Sequence, residues 1–172
     1  ADHIKGSSIE KLPLEIRKGV LLHRRIDEFT DQHPVVMQSK ERLRPQFRKY
    51  APVIADIFYD HFLAINWNEY SDISLEYFSN NFYELTKSYF RFFPERTKQM
   101  MPYMIANNWL VSYSTLDGIH KVLTGMSKRT PFNSGMEKAV EGSRRLARGH
   151  EARRRRPSVG DHLSSAIAVL SL

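Results

Sequence analysis

Apolar residues recur through most of this chain at the three- and four-residue spacing of an α-helix, and this periodicity constrains the fold more than any other feature. No long segment alternates apolar and polar residues, which is the pattern of a half-buried strand. Prolines, which favour the first turn or the end of a helix, divide the pattern into segments. These breaks are Pro13, Pro34, Pro52 and Pro94. We therefore predict an all-α fold, a single compact bundle of about six helices.

The prolines and the apolar spacing together set the expected helix boundaries. The first three helices are expected at about residues 13–29, from residue 34 with an interruption at Pro45, and at about 52–67. An aromatic helix follows between a capped connection at 71–74 and Pro94. The last two cover about residues 95–107 and about 109–127, and the second of these is broken near Gly118. The aromatic helix carries an apolar stripe, which we interpret as a buried face and not as a cofactor or base-stacking site. The stripe consists of Phe78, Phe82, Leu85, Tyr89 and Phe92.

The 172-residue chain contains no cysteine. This excludes a disulfide scaffold, a thiolate metal site and a cysteine nucleophile, so any metal must be bound by His, Asp or Glu. No apolar run approaches the ~20 residues of a membrane span. Residues 1–6 lack the charged-then-apolar layout of a signal peptide, and we therefore expect a cytoplasmic protein.

Positive charge is concentrated near the C-terminal end of the sequence. Residues 143–172 contain seven arginines against Glu151 and Asp161 and contribute +5 to the formal net charge of +7. The preceding 142 residues contribute +2. We predict a helical domain over residues 1–142 and an irregular basic tail over residues 143–172. The tail is most simply a solvated segment. The alternative is a nucleic-acid or membrane-surface role that belongs to the tail and not to the domain.

Two pairs of histidine and carboxylate residues fall on the apolar faces of predicted helices. His23 and Asp27 are four residues apart and share one face of the first helix. Asp60 and His61 extend the apolar lines of the third helix. Burying these groups costs several kcal/mol unless something compensates, and a divalent ion shared between two helices would compensate all four at once. The alternative is that each pair forms ordinary hydrogen bonds in the core.

Three strings of residues in this order are similar to those of the acyl carrier protein phosphodiesterase family. They are Leu22-His23-Arg24-Arg25-Ile26-Asp27, Phe29-Thr30-Asp31-Gln32-His33-Pro34 and Asp56-Ile57-Phe58-Tyr59-Asp60-His61-Phe62-Leu63. Shorter matches support the resemblance, which covers about residues 1–140. These shorter matches are Ala1-Asp2 with Lys5-Gly6, Trp109-Leu110-Val111 with Tyr113, and Gly125-Met126-Ser127 with Arg129.

The resemblance implies an all-helical relative of the HD-type metal phosphohydrolases. Such an enzyme removes the 4′-phosphopantetheine arm from holo acyl carrier protein and leaves the apo protein. The resemblance also implies a divalent cation, in first place manganese, with magnesium or iron as alternatives. Matched to the family strings by position, five residues become candidate metal ligands: Asp2, His23, Asp27, Asp60 and His61.

Three residues beside these strings are candidates for direct roles in catalysis. Arg24 could clamp the phosphate, but it points away from the line of His23, and a solvated surface position is an equal alternative. Asp31 and His33 could orient a ligand or pass a proton to the leaving serine oxygen, with helix capping around Pro34 as the alternative.

Carrier proteins are acidic, so we expect holo acyl carrier protein to dock on a basic surface. The candidates cluster on the second predicted helix, and a plain solvated face is the competing interpretation. They are Arg42, Arg44, Arg48 and Lys49.

The sequence departs from the family pattern at both ends. Relatives usually begin with a further segment that contains an Asn-Phe-Leu-Ala-His-like string, so we expect an N-terminal part of the domain to be missing here. Relatives also tend to close with an amphipathic helix where this sequence has its Arg-rich tail.

Two other functions stay open: an HD-like nucleotide phosphohydrolase, and a non-catalytic basic helical module that binds nucleic acid.

Overall fold

The computed structural model describes residues 9–10 and 12–141 of the chain. Every regular element in this part is helical, which confirms the all-α prediction. Asp2 and the tail over residues 143–172 lie outside the described residues. None of the described helices is long and apolar enough to cross a bilayer. The helices are α1 (Leu14–Gln32), α2 (Pro34–Phe47), α3 (Ala51–Ile65), α4 (Leu75–Tyr89), α5 (Glu95–Ala106), α6 (Trp109–Ser112) and α7 (Leu116–Arg129).

Side-chain caps define the starts of three of these helices. The Ser74 hydroxyl accepts a hydrogen bond from the third backbone N–H of α4 at 3.2 Å, which confirms the cap predicted in the connection at 71–74. The Thr115 hydroxyl does the same for α7 at 3.0 Å. His33 Nδ1 accepts from the second residue of α2 at 3.3 Å. Each cap satisfies a backbone donor that has no partner inside its helix.

The prediction that Pro45 interrupts the second helix is wrong, because α2 continues through it to Phe47. Pro45 is exposed and lies near the last turn, while Leu43 and Phe47 on either side of it are buried in the core. Burial of two large apolar side chains, about 2 kcal/mol each, offsets the cost of about 3 kcal/mol for proline inside a helix.

The predicted helix at 109–127 is divided into α6 and α7, as expected from the position of Gly118. The chain turns so tightly between them that a Cβ atom at Gly118 would lie 1.8 Å from the carbonyl oxygen of Ser112. Only glycine permits this approach of one backbone to another. The contact holds the intervening residues, including Tyr113, against α3.

The hydrophobic core is built around α3, which packs between α2 and α7. Ile54, Ala55 and Phe58 of α3 are at most 1 % exposed. They meet Leu43 and Phe47 of α2 on one side. On the other side the core is completed by residues of α7 and of the segment that follows it: Ile119, Leu123, Met136 and Val140.

The apolar face of α1 was predicted to point into the core, and this prediction is wrong. Val20 is the one residue of this helix that is buried, whereas Leu22 is 60 % and Phe29 is 72 % exposed. The spacing correctly indicated an amphipathic helix, but periodicity alone does not say whether a neighbouring element covers the apolar side. In the described part of the chain, the main packing partner of α1 is α2.

The aromatic stripe of α4 is not the buried face of that helix, which is a second correction. Phe78 and Leu85 are exposed, and the buried residues are Ser79, Tyr83 and Thr86. α4 packs against the short helix α6, and the Tyr83 hydroxyl accepts a hydrogen bond from the N–H of Leu110 there at 3.0 Å. The buried face of α4 therefore consists of one tyrosine, which forms a polar bond to α6, and two small side chains.

Candidate active site

His61 is the buried histidine of the site and is held by the backbone before α7. Its side chain lies in the second half of α3, and the residue is 7 % exposed. Nδ1 donates a hydrogen bond of 2.6 Å to the carbonyl oxygen of Tyr113. Burial lowers the pKa of His61, although this hydrogen bond opposes the shift. The neutral ring therefore carries its proton on Nδ1, and Nε2 keeps a lone pair for a ligand.

Two carboxylates lie one helical turn apart on α3, next to His61. Burial raises the pKa of Asp60 to about 6, and the charge of Asp56 adds to the effect. The Asp60 side chain still reaches solvent, so it lies at the surface among protein atoms that displace part of its water. The sequence analysis missed Asp56, although the four-residue spacing from Asp60 was a signal that could have found it.

The carboxylates of α3 also interact with those of α1. Burial raises the pKa of Asp56, with Lys40 opposing the shift and Asp31 and Asp27 adding to it. The two aspartates of α1 therefore lie within electrostatic reach of α3. We call Asp27, Asp31, Asp56 and Asp60 the acidic cluster. The structure thus brings Asp27, from the first predicted pair, toward Asp56, which lies one turn before Asp60 of the second pair.

The His23–Asp27 pair is formed but is exposed, contrary to the inward orientation predicted for it. His23 Nδ1 lies 2.7 Å from Asp27 Oδ2, and about half of each side chain is open to solvent. The carboxylate fixes the direction of the imidazole ring and leaves its Nε2 facing away from this bond. The pair needs no metal to compensate burial, because burial is slight.

The predicted catalytic residues at the end of α1 have structural partners. Asp31 forms an ion pair with Lys40 of α2. His33 caps α2 through Nδ1, which is the alternative weighed for it, and its ring packs 6.0 Å from that of Phe29. Arg24 is exposed on α1. Roles for these three residues in catalysis stay predictions.

The residues of the site suit a divalent ion in kind, although they do not complete a ligand set. Within residues 9–10 and 12–141, no three His, Asp or Glu side chains are placed so that they could hold one ion. The chemistry of the donors is nevertheless suitable. His61 donates through Nδ1 and keeps the lone pair of Nε2, and a carboxylate orients His23. Besides burial, the carboxylates of the acidic cluster raise the pKa values of Asp56 and Asp60, although Lys40 opposes the shift at Asp56. The five-residue ligand set stays a prediction, with Asp2 outside the described part.

The four predicted docking residues occupy two different elements. Arg42 and Arg44 are exposed on α2, where Arg44 pairs with Glu41 at 3.2 Å. Arg48 and Lys49 lie in the 3-10 turn that follows α2, and not on the helix itself. The ammonium group of Lys49 lies 4.5 Å from the ring centroid of Phe132.

The described part of the chain is thus a helical protein that carries a buried histidine, an exposed His–Asp pair and four carboxylates on the helices α1 and α3. The family model described as acyl carrier protein phosphodiesterase matches residues 1–155. The chain belongs to that family.

Curated relatives carry the same description. The acyl carrier protein phosphodiesterase of Photorhabdus laumondii is 32 % identical over 137 residues, which is 79 % of this chain and 69 % of the relative. That of Escherichia coli strain CFT073 is 35 % identical over 132 residues, or 76 % of this chain and 68 % of the relative. That of Enterobacter sp. strain 638 is 33 % identical over the same length and shares. No solved structure matches the chain.

Proposed function

We propose that this protein hydrolyses the phosphodiester between the serine of holo acyl carrier protein and its 4′-phosphopantetheine arm, releasing the apo protein. Membership of the family supports this function. Two structural observations support it: the His61 ring is held by the Tyr113 carbonyl, and burial raises the pKa of the preceding residue, Asp60, to about 6. A location in the cytoplasm, where carrier proteins work, is part of the same proposal.

A divalent ion, in first place manganese, is the proposed cofactor. The residues that would hold it are drawn from His61, Asp60, His23 and Asp27, with Asp2 outside the described part. When bound, such an ion polarises a phosphoryl oxygen and makes a water molecule more acidic. The chain itself contributes the fixed tautomer of His61 and a concentration of negative charge that attracts the cation.

Proton transfer to the leaving serine oxygen is the role proposed for Asp31 and His33, and Asp56 is a further candidate for it. Burial raises the pKa of this carboxyl, and the aspartates of α1 reinforce the shift. A carboxyl group with a raised pKa keeps a larger share of its proton near neutral pH and can donate it from its oxygen as the bond breaks. Arg24 is proposed to contact the phosphate, since a guanidinium group can bind two phosphate oxygens at once.

Loss of the prosthetic arm is measured directly as a decrease in the mass of holo carrier protein incubated with the enzyme and manganese. We expect conversion to the apo mass by the wild type and not by Asp60→Asn. The matched control is Asp72→Asn, which removes an exposed carboxylate outside the acidic cluster. Hydrolysis of a nucleotide diester with no action on holo carrier protein would instead support the nucleotide phosphohydrolase alternative.

The acidic carrier protein is proposed to dock on the four basic residues of α2 and the turn that follows it, which are Arg42, Arg44, Arg48 and Lys49. The double variant Arg44→Glu/Arg48→Glu should lower kcat/KM for holo carrier protein at least about tenfold, because it reverses charge on the approach surface. It should leave the hydrolysis of a small phosphodiester unchanged. Arg96→Glu/Lys128→Glu makes the same change of charge on α5 and α7 and serves as the control. Equal losses with both substrates would refute docking by these residues.

A further inference from the structure

Tyr113 meets the candidate active site through both its backbone and its side chain. Its carbonyl oxygen accepts the hydrogen bond of 2.6 Å from His61 Nδ1. Its ring packs against the hydrophobic core, and the residue as a whole is partly exposed. The phenol also lies within electrostatic reach of the Asp60 carboxylate. A single residue of the connection before α7 therefore borders both His61 and Asp60.

The hydroxyl of Tyr113 differs from those of two tyrosines near it. The Tyr59 hydroxyl on α3 shares a hydrogen bond of 2.9 Å with the hydroxyl of Ser39. The Tyr83 hydroxyl accepts the N–H of Leu110 at 3.0 Å. In the described part of the chain, only burial and neighbouring charges act on the Tyr113 phenol, and no hydrogen bond does. Its hydroxyl therefore keeps its proton available for a ligand.

The turn between α6 and α7 fixes the position of Tyr113. The Tyr113 N–H donates to the carbonyl of Trp109 at 3.1 Å, and the Thr115 N–H donates to that of Ser112, also at 3.1 Å. The close approach of Gly118 to the Ser112 carbonyl holds the same turn against the start of α7. Because the backbone is fixed on both sides of Tyr113, little freedom is lost when its side chain binds a ligand.

A phenol at this position suits an oxygen atom of a phosphate ester. Tyrosine has an ordinary pKa of about 10, so its hydroxyl is a neutral donor at neutral pH. A charged phosphoryl oxygen is a strong acceptor for such a donor. The acidic cluster repels a phosphate, and a neutral donor beside it opposes that repulsion without adding negative charge. A donor that is in place before the reaction also stabilises charge that develops on the phosphoryl oxygen in the transition state.

We propose that the Tyr113 hydroxyl donates a hydrogen bond to a non-bridging oxygen of the phosphodiester. This rests on the proposed function, because it requires the scissile phosphate to lie beside His61 and Asp60. Tyr113 then has two separate tasks: its carbonyl orients His61, and its hydroxyl contacts the substrate. The alternative is that the side chain only packs against the core, in which case the hydroxyl is dispensable.

Tyr113→Phe separates these tasks, because it removes the hydroxyl and keeps both the ring and the carbonyl. With holo carrier protein and manganese, the variant should lower kcat about 100-fold, as removal of one preorganised donor does. Its midpoint of urea denaturation should equal that of the wild type. Tyr103→Phe removes a hydroxyl from a residue of α5 that is 68 % exposed, and this control should behave as the wild type. Equal kcat for Tyr113→Phe and the wild type overturns the proposal.

Two further measurements distinguish contact with phosphate from an effect on His61, and they do not depend on turnover. The nitrogen chemical shifts of His61 report its tautomer and should be the same in Tyr113→Phe and the wild type. A changed tautomer would show that the hydroxyl acts through His61, and it would overturn the proposal. Inorganic phosphate, titrated by calorimetry in the presence of manganese, should bind about tenfold more weakly to the variant.

The phosphate titration also separates this inference from the function on which it rests. Equal affinity of the variant and the wild type for phosphate, or no binding of phosphate to the wild type, overturns the role of the Tyr113 hydroxyl. Absence of turnover of holo carrier protein by the wild type, with weaker phosphate binding in Tyr113→Phe, counts against the proposed function alone.

Discussion

Removing the charge of Asp60 should stabilise the metal-free protein at neutral and alkaline pH. The pKa of Asp60 rises from 3.8 to about 6 on folding, because burial and Asp56 disfavour its ionised form. In full, such a shift corresponds to about 3 kcal/mol. The Asp60 side chain reaches solvent, however, and we discount the effect to about 1 kcal/mol. Asp60→Asn should therefore raise the free energy of unfolding by about 1 kcal/mol at about pH 8.

The sign of this effect follows from the raised pKa of the folded state. The contribution of the protonated Asp60 carboxyl to the stability of the fold is complete below 3.8, its pKa in the unfolded chain. It is lost as the pH rises through about 6, its pKa in the folded protein. Urea denaturation in the presence of a chelator, at about pH 3.5 and about pH 8, measures it. The variant and the wild type should differ at the higher pH and converge at the lower. Asp72→Asn should change neither value. Equal stability of variant and wild type at about pH 8, or a loss in the variant, would refute the view that Asp60 is repelled by its surroundings.

Two further predictions concern the scaffold that positions the site. Gly118→Ala should lower the free energy of unfolding by about 3 kcal/mol in thermal denaturation, because its Cβ would lie 1.8 Å from a backbone oxygen. Gly125→Ala, with 3.5 Å to its nearest neighbour, is the control, and equal effects would contradict the close approach. Phe58→Ala, at 1 % exposure, should cost about 3–5 kcal/mol in urea denaturation. Phe29→Ala should stay within about 0.5 kcal/mol, and a large loss there would show that this side chain is covered.

The helices were predictable from the sequence, whereas the buried faces of α1 and α4 were not. Apolar spacing and capping residues such as Ser74 are local signals, and the structure confirms the helices and the cap that they indicate. The direction of a face depends on which elements meet. The apolar face of α1 was expected to point inward, yet the contacts of α1 lie chiefly with α2 and leave Phe29 open. Tyr83 was passed over, although its hydrogen bond to Leu110 anchors α4.

The candidate site was predictable in part. Asp60 and His61 were indicated by their position on the apolar lines of the third helix and by the family strings, and the structure gives both an environment that shifts their pKa values. Asp56 was not predicted, although its four-residue spacing from Asp60 places both carboxylates on one face of the helix. The partner of His61 is the carbonyl of Tyr113, 52 residues away, and a backbone carbonyl carries no sequence signal. Such a contact emerges only from the packing of α3 against the connection before α7.

The central proposal is that His61, held by the Tyr113 carbonyl and next to Asp60 in the sequence, serves a manganese-dependent hydrolysis of holo carrier protein. The most direct measurement is the rate of loss of the prosthetic arm as a function of manganese concentration, for the wild type and for His61→Gln. We predict that the variant needs at least about tenfold more manganese to reach half its maximal rate. The same manganese dependence and the same maximal rate in both proteins would contradict the claim.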